Sequence, residues 1–322
     1  MTKPSLKTAF ANGEFITAPG IQDMITAVIC NKIGFDFVYA SGYWGTASAH
    51  GLPDAGIASY TQMLERVSTL ARVANASVIA DADTGYGGLL NVHHTVRGFE
   101  EGGVIAIQLE DQEFPKKCGH TRNKRVIPME DMVKKVQVAC EARQNPETII
   151  IARTDAKDPE GYETAIARGQ AYGEAGADVV FVEALHSEEE MRDACARIKK
   201  PMMVNMADGG KTPILPTTTL QDIGYSIAIF PAMASLAAAA AAEAALLNLK
   251  QNGTSLSPDV PLFSFTEFNE LIGFPDVWDF EKKMGLKRFS LKRFIHLVKS
   301  NSNTITAVNK RNGFIKIKPF GM

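Results

Sequence analysis

The sequence predicts a (β/α)8 barrel of the TIM type, on three observations. A short β-branched run, a polar loop and an amphipathic or alanine-rich segment recur eight times, the pattern of parallel strands with helices outside them. Six consecutive strand candidates end in polar, amide or charged residues, positions that share one mouth in a parallel barrel. The early Gly-rich turn of a doubly wound dinucleotide fold is missing.

Strands are expected at Phe15–Ala18, Phe37–Ala40, Val78–Ala82, Ala106–Leu109, Ile149–Ala152, Val179–Val182, Met202–Asn205 and Ile227–Phe230. Helices are expected near 22–33, 61–74, 91–101, 128–143, 162–175, 187–198 and 217–223, with a long eighth over Ser235–Gln251. Asn91, Ser187 and Thr217 offer side-chain oxygens to first-turn amides, and Gly102, Gly176, Gly224 and Gly253 stand where helices end.

With 45% apolar and 22% charged residues over 322 positions, the chain is neither collagen-like, coiled-coil nor wholly disordered. Its four cysteines, Cys30, Cys118, Cys140 and Cys195, form no C-x-x-C pair, so neither a disulfide framework nor a thiolate zinc site is indicated. A reducing compartment and a cytoplasmic location are the expectation. The longest apolar stretch, Ile227–Leu249, is interrupted by Pro231 and Glu243, which suits a strand followed by a packed helix better than a bilayer span. The residues after Glu281 carry 11 positive charges and no acid; set against a formal net charge of −2, they leave the first 281 residues at −13. This basic tail is read as solvated or packed on an acidic surface, because base-reading motifs are absent and no nucleic-acid partner is expected.

The strand-end residues are Ser41-Gly42, Asp81 and Asp83, Glu110 and Asp111, Arg153 and Asp155, Glu183, and Asn205. Asp81 and Asp83 stand two apart on what should be one side of an extended segment, and Glu110 adds a third carboxylate. Oxygen-only donors suit magnesium or manganese and not zinc. Between the fourth and fifth strands, Lys116-Lys117-Cys118-Gly119-His120 sets a thiol among basic groups, which should favour its thiolate. Gly119 frees a backbone amide for an anion. His93-His94 is not read as a metal site, because adjacent helical side chains diverge.

These motifs resemble the isocitrate lyase and phosphoenolpyruvate mutase superfamily from about Phe15 to Trp278. The resemblance rests on K-K-C-G-H at Lys116, S-G-Y at Ser41, G-L-P-D at Gly51, D-A-D-T-G at Asp81, L-E-D-Q at Leu109, A-R-T-D-A at Ala152, V-E-A at Val182 and N-M-A-D-G-G-K-T-P at Asn205. It implies a magnesium-dependent site for 2-oxo or 2-hydroxy carboxylates, in a barrel whose last helix is exchanged between subunits, usually of a homotetramer. K-K-C-G-H resembles the carbon–carbon lyases, and P-K-K-C-G-H with F-T-E-F-N-E-L-I at Phe265 is most similar to the petal death protein and 2,3-dimethylmalate lyase group.

By that resemblance Asp81, with Asp83, Glu110 and Asp54 through water, would hold the metal. Ser41, Gly42 and Tyr43 would donate to a substrate carboxylate, with Gly119, Asn205 and Thr212 also in the binding set. Arg153 would balance developing charge and Cys118 would protonate the carbanion, with His120 and Glu183 organising its surroundings. Tyr39 is the candidate base. Tyr43 and Trp44 narrow the mouth, which favours an alkyl-substituted malate over a tricarboxylate. 2-Methylisocitrate cleavage, oxaloacetate hydrolysis or decarboxylation, and a non-enzymatic scaffold are the alternatives. The expected organisation is a barrel over 1–253, a helical oligomerisation segment over 254–286 and a disordered basic tail over 287–322.

Overall fold

The computed structural model describes residues 3–257 and 260–285. The eight strands are β1 (Ile16–Pro19), β2 (Phe37–Ala40), β3 (Ser77–Asp81), β4 (Ala106–Glu110), β5 (Ile149–Thr154), β6 (Val179–Val182), β7 (Met202–Asn205) and β8 (Ile227–Phe230). All pair in parallel in the order β1-β8-β7-β6-β5-β4-β3-β2. The ring nearly closes between β1 and β2, where Gly20 bridges Tyr39 and the Ile21 N–H donates to the Tyr39 carbonyl at 2.9 Å. The expected TIM-type barrel is therefore present.

Around it lie α1 (Leu6–Ala11), α2 (Met24–Ile33), α3 (Gly42–His50), α4 (Tyr60–Val73), α5 (Leu89–Glu101), α6 (Met129–Ala142), α7 (Lys157–Glu160), α8 (Tyr162–Glu174), α9 (Glu188–Arg197), α10 (Thr217–Ile223) and α11 (Met233–Asn252). Ser187 caps α9 by accepting from the Glu190 N–H, as its side chain predicts. Two other caps differ from expectation. Gly88 takes the N-cap of α5, with Asn91 one turn in, accepting from the Gly88 N–H; Pro216 precedes Thr217, which is already helical. Gly102 ends α5 in a right-handed conformation, and the left-handed residue is Gly103.

Strand periodicity decides what faces the barrel axis. Phe37, Tyr39, Ile79, Ala106, Ile149, Ile151, Val179, Phe181, Met203, Ile227 and Ile229 fill the interior, with Leu6 and Ala9 of α1 packed against them. Each large side chain so buried contributes about 1.5–3 kcal/mol. Two residues further along the same inward ladder come Asp81, Gln108, Arg153, Glu183 and Asn205, with Glu110 two beyond Gln108. Residues of opposite parity, such as Ala82, Leu109, Ala152 and Val182, pack against the helices.

The chain divides into a unit through Leu262 and a second from Phe263. In the first, α11 buries only Ser235, and Leu236, Leu246, Leu247 and Leu249 are exposed. Length and composition alone would let α11 cross a membrane, but its place directly after β8 makes it the barrel's eighth helix. The second unit has α12 (Phe265–Leu271) and α13 (Phe274–Lys283), with ring pairs Phe263–Phe268 and Phe274–Trp278. The basic tail expected over 287–322, and its expected disorder, lie outside the described residues.

Candidate active site

At the carboxyl end of the barrel a cavity of about 250 Å³ opens, lined by Tyr39, Ser41, Tyr43, Asp54, Asp81, Glu110, Cys118, Gly119, His120, Arg153, Glu183 and Asn205. Gly42, Asp83 and Thr212, also expected there, do not line it. Thr212 is buried elsewhere. The Gly42 N–H, expected to donate to substrate, donates instead to Asp81 Oδ2 at 3.3 Å. A Cβ at Gly42 would stand 2.9 Å from that oxygen and 3.1 Å from Asp83 Oδ1, so the acid cluster requires glycine at the start of α3.

Asp83 lies beyond the end of β3 with a left-handed φ of 48°. The two aspartates are therefore not joined by strand alternation, as the spacing alone suggests, but by a turn in which Asp81 Oδ1 accepts the Asp83 N–H at 3.1 Å. Lys116 Nζ sits 2.5 Å from Asp54 and 2.6 Å from Asp83, fully inside the protein. Burial depresses this ammonium, but Asp83, Asp54, Glu110 and Asp81 outweigh it and hold its pKa well above the ordinary value. Burial pushes the Asp83 carboxyl up to about 6, with Lys116 pulling the other way. Burial also raises Glu110 well above the carboxylate range; Arg153 opposes the shift and Asp155 adds to it.

Arg153, 3.5 Å from Glu110, forks onto Asp155 at 2.8 and 3.0 Å and reaches Glu183 at 3.2 Å. Burial opposes charge on Asp155, but Arg153 and Lys124 overcome it and hold this carboxyl well below its usual range. Asn205 Nδ2 donates to Glu183 at 3.1 Å. His120 Nδ1 accepts from the Lys211 N–H at 3.2 Å, and its Nε2 stands 3.2 Å from Asn205 Nδ2 and 3.6 Å from Glu183. The Tyr39 hydroxyl donates to Gln108 at 3.2 Å, and Gln108 donates in turn to Asp81 at 3.3 Å. Burial, with Asp81 nearby, keeps that phenol protonated far above its normal pKa.

The expected thiolate character of Cys118 is overturned. Burial raises the thiol's pKa, and Asp54 and Glu183 reinforce the shift; the His120 backbone and Arg153 oppose it without prevailing. The reason is geometric. Lys116 turns away from the thiol toward the acids, and Lys117 is exposed. Gly119 lines the cavity, and a Cβ there would lie 2.1 Å from Arg153 Nη2. Asp111 is the remaining correction: its parity turns it outward, where it accepts from Thr154 and Tyr172 at 2.7 Å each. Sequence reasoning placed Asp155 at the mouth but missed Gln108, and it set Lys116 beside the thiol rather than among the acids. Period-two alternation from Glu110 back to Gln108 was the available signal for one; nothing local marked the partners of Lys116.

Asp54 and Asp83 share the one ammonium of Lys116 and Asp81 makes no ion pair among the described residues, so acids outnumber cations here, while Glu110 stands 3.5 Å from Arg153. That excess and the all-oxygen donor set fit a divalent cation such as magnesium. Among the described residues no three His, Cys, Asp or Glu side chains converge on one metal position. Few direct protein ligands is the habit of magnesium, which keeps several waters and borrows substrate oxygens.

The family profile described as phosphoenolpyruvate phosphomutase matches residues 6–249. The chain is 39% identical over 280 residues to 2,3-dimethylmalate lyase of Eubacterium barkeri, covering 87% of this chain and 97% of that one. It is 41% identical over 271 residues to 2-methylisocitrate lyase of Aeropyrum pernix, covering 84% and 87%. Among solved structures, oxaloacetate acetylhydrolase bound to 3,3-difluorooxalacetate superposes with a TM-score of 0.83 at 31% identity, over 87% of this chain and 96% of that one. A 2,3-dimethylmalate lyase structure gives 0.81 at 32%, over 87% and 94%. Phosphonopyruvate hydrolase with oxalate and Mg++ gives 0.78 at 29%, over 86% and 96%. Barrel, mouth and relatives agree: this chain belongs to the PEP mutase/isocitrate lyase superfamily and is an enzyme of its lyase branch.

Proposed function

We propose that this enzyme is a magnesium-dependent carbon–carbon lyase that cleaves a 2-hydroxydicarboxylate, a substituted malate such as 2,3-dimethylmalate, to pyruvate and a carboxylate. The observation that carries the reading is a protonated Cys118 thiol that lines one cavity with Arg153, Asp81 and Glu110. Asp81, Asp83, Glu110 and Asp54 would hold the divalent ion, whose positive charge would lower the pKa of a substrate hydroxyl.

The chain's own groups account for the remaining steps. As the hydroxyl proton passes to a carboxylate of the mouth and the freed O–H pair closes the C2 carbonyl, the C2–C3 bond breaks, its electron pair passes to C3 and negative charge grows on the departing carboxylate. Arg153, fixed by its fork on Asp155, is aimed at that charge. Cys118 Sγ delivers a proton to C3, a role for which a raised pKa is suited and which is typically worth about 10² to 10⁴ in rate. Glu183 holds Asn205 and faces His120 Nε2, which orders the polar rim beside the thiol. Tyr39 keeps its proton toward Gln108 and so orients the amide that supports Asp81, rather than starting as a base.

Trp44, Pro231, Ala232 and Leu236 form an apolar side of the cavity, which favours alkyl substituents. Oxaloacetate hydrolysis is the competing reading, favoured by the likeness to oxaloacetate acetylhydrolase. The exposed leucines of α11 support a homo-oligomer, with exchange of this helix in a tetramer, and the free cysteines support a cytoplasmic location. Purified enzyme with magnesium, offered 2,3-dimethylmalate, 2-methylisocitrate and oxaloacetate, tests the reading. Pyruvate release from dimethylmalate, lost with EDTA and restored by Mg2+, is expected; turnover of oxaloacetate alone, or turnover indifferent to chelation, would overturn it.

A further inference from the structure

We propose that Lys124 is a positioning residue that clamps the Cys118 loop to the Arg153–Asp155 pair, a role that rests on the lyase reading above. Lys124 lies six residues past the thiol, yet its side chain is only 1% exposed. Its ammonium donates to the Gly119 carbonyl and lies 3.0 Å from Asp155 Oδ1 and 3.3 Å from Asp158 Oδ2. A lysine is buried this deeply only when its charge is matched, and here Asp155 and Asp158 match it.

The contacts join three loops that otherwise meet only at the reaction centre. Asp155 holds Lys124 with the same carboxylate that carries the Arg153 fork. Asp158, on α7, also accepts from Lys211 Nζ at 2.7 Å, and the Lys211 backbone N–H caps His120 Nδ1. Lys124 thus sets the distance between the proton donor and the guanidinium, while Asp158 ties in the loop after β7. No atom of Lys124 lines the cavity, so the residue acts through others.

The test compares wild type, Lys124→Met, Lys124→Arg and Asp158→Asn with two readouts: steady-state kinetics on the best substrate, and the rate at which iodoacetamide labels Cys118, followed on its peptide. A loosened clamp displaces the thiol, and misplacement by about 1 Å costs about 10²-fold in kcat with KM little changed, while the melting temperature falls because a buried carboxylate loses a partner. Labelling of Cys118 should accelerate by about tenfold as the loop opens, and Lys124→Arg should recover part of both losses. Asp158→Asn, at a partly exposed site, should shift both readouts in the same direction by less. Should Lys124→Met fail to fold, Asp158→Asn decides alone. Wild-type kcat and labelling rate in the folded variants would overturn the clamp. If wild type cleaves no 2-hydroxydicarboxylate, the lyase reading fails, while the labelling comparison still decides the clamp.

Discussion

Gly119 packs so closely on Arg153 that a Cβ on the glycine would lie 2.1 Å from Nη2 of the guanidinium. Glu183 Cγ and Asp155 Oδ1 would lie 2.8 and 3.0 Å away, so nothing nearby can yield without breaking an ion pair. The glycine of the cysteine loop is therefore a seat for the arginine.

Gly119→Ala should cut kcat by about 10²-fold, the cost of misplacing a catalytic group by about 1 Å. Because the clash is local to the mouth, the circular dichroism spectrum should stay that of the wild type. Wild-type turnover by the alanine variant would show that Arg153 can be moved without consequence.

The raised pKa of Cys118 gives a pH prediction whose sign is fixed. Burial disfavours the thiolate, so the thiol stays protonated above the ordinary value of about 8.5. The limb of kcat that needs this proton should persist into alkaline solution and fall only above that value. Iodoacetamide labelling, which needs the thiolate, should be slow at neutrality and still rising at about pH 9. Cys118→Ser should lower turnover by about 10² to 10⁴.

Asp111 supports the site from behind. Its carboxylate accepts from Thr154, Tyr172, Arg168 and the Asp155 N–H, with no solvent exposure. Asp111→Ala strands a buried guanidinium and two hydroxyls, at a cost of about 3 kcal/mol. Thermal melting should fall by roughly 6–12 °C; an unchanged melting temperature would mean that Glu160, the other partner of Arg168, suffices.

The strands were legible because a strand buried on both faces reads as a near-continuous apolar run, and β2, β6, β7 and β8 have the expected bounds. Helix α3 was not, because Gly42-Tyr43-Trp44-Gly45-Thr46 joins two glycines to bulky residues and has no amphipathic stripe. The acids of the mouth could be found from strand ends. The partners of Lys116 could not: Asp54 comes from the loop after α3 and meets the lysine only once the barrel has formed. In sequence the nearest chemistry to Lys116 is the thiol two residues on, and proximity along the chain misassigned it.

Substrate choice should turn on Trp44. Its ring packs on Tyr43 with centroids 4.7 Å apart, and both close one side of the cavity. Lys116 is matched by Asp54 and Asp83 and Lys211 by Asp158, while Arg153 is left to the departing carboxylate. A third substrate carboxylate would find no further buried cation lining the cavity, whereas a methyl group would find Trp44, Ala232 and Leu236. Trp44→Ala should therefore lower kcat/KM for 2,3-dimethylmalate by about 10–200-fold, the range for one or two methyl contacts. Activity on 2-methylisocitrate should fall less, or rise as the cavity widens. The ratio of the two specificity constants is the measurement; a ratio left at its wild-type value would place the alkyl recognition elsewhere in the mouth.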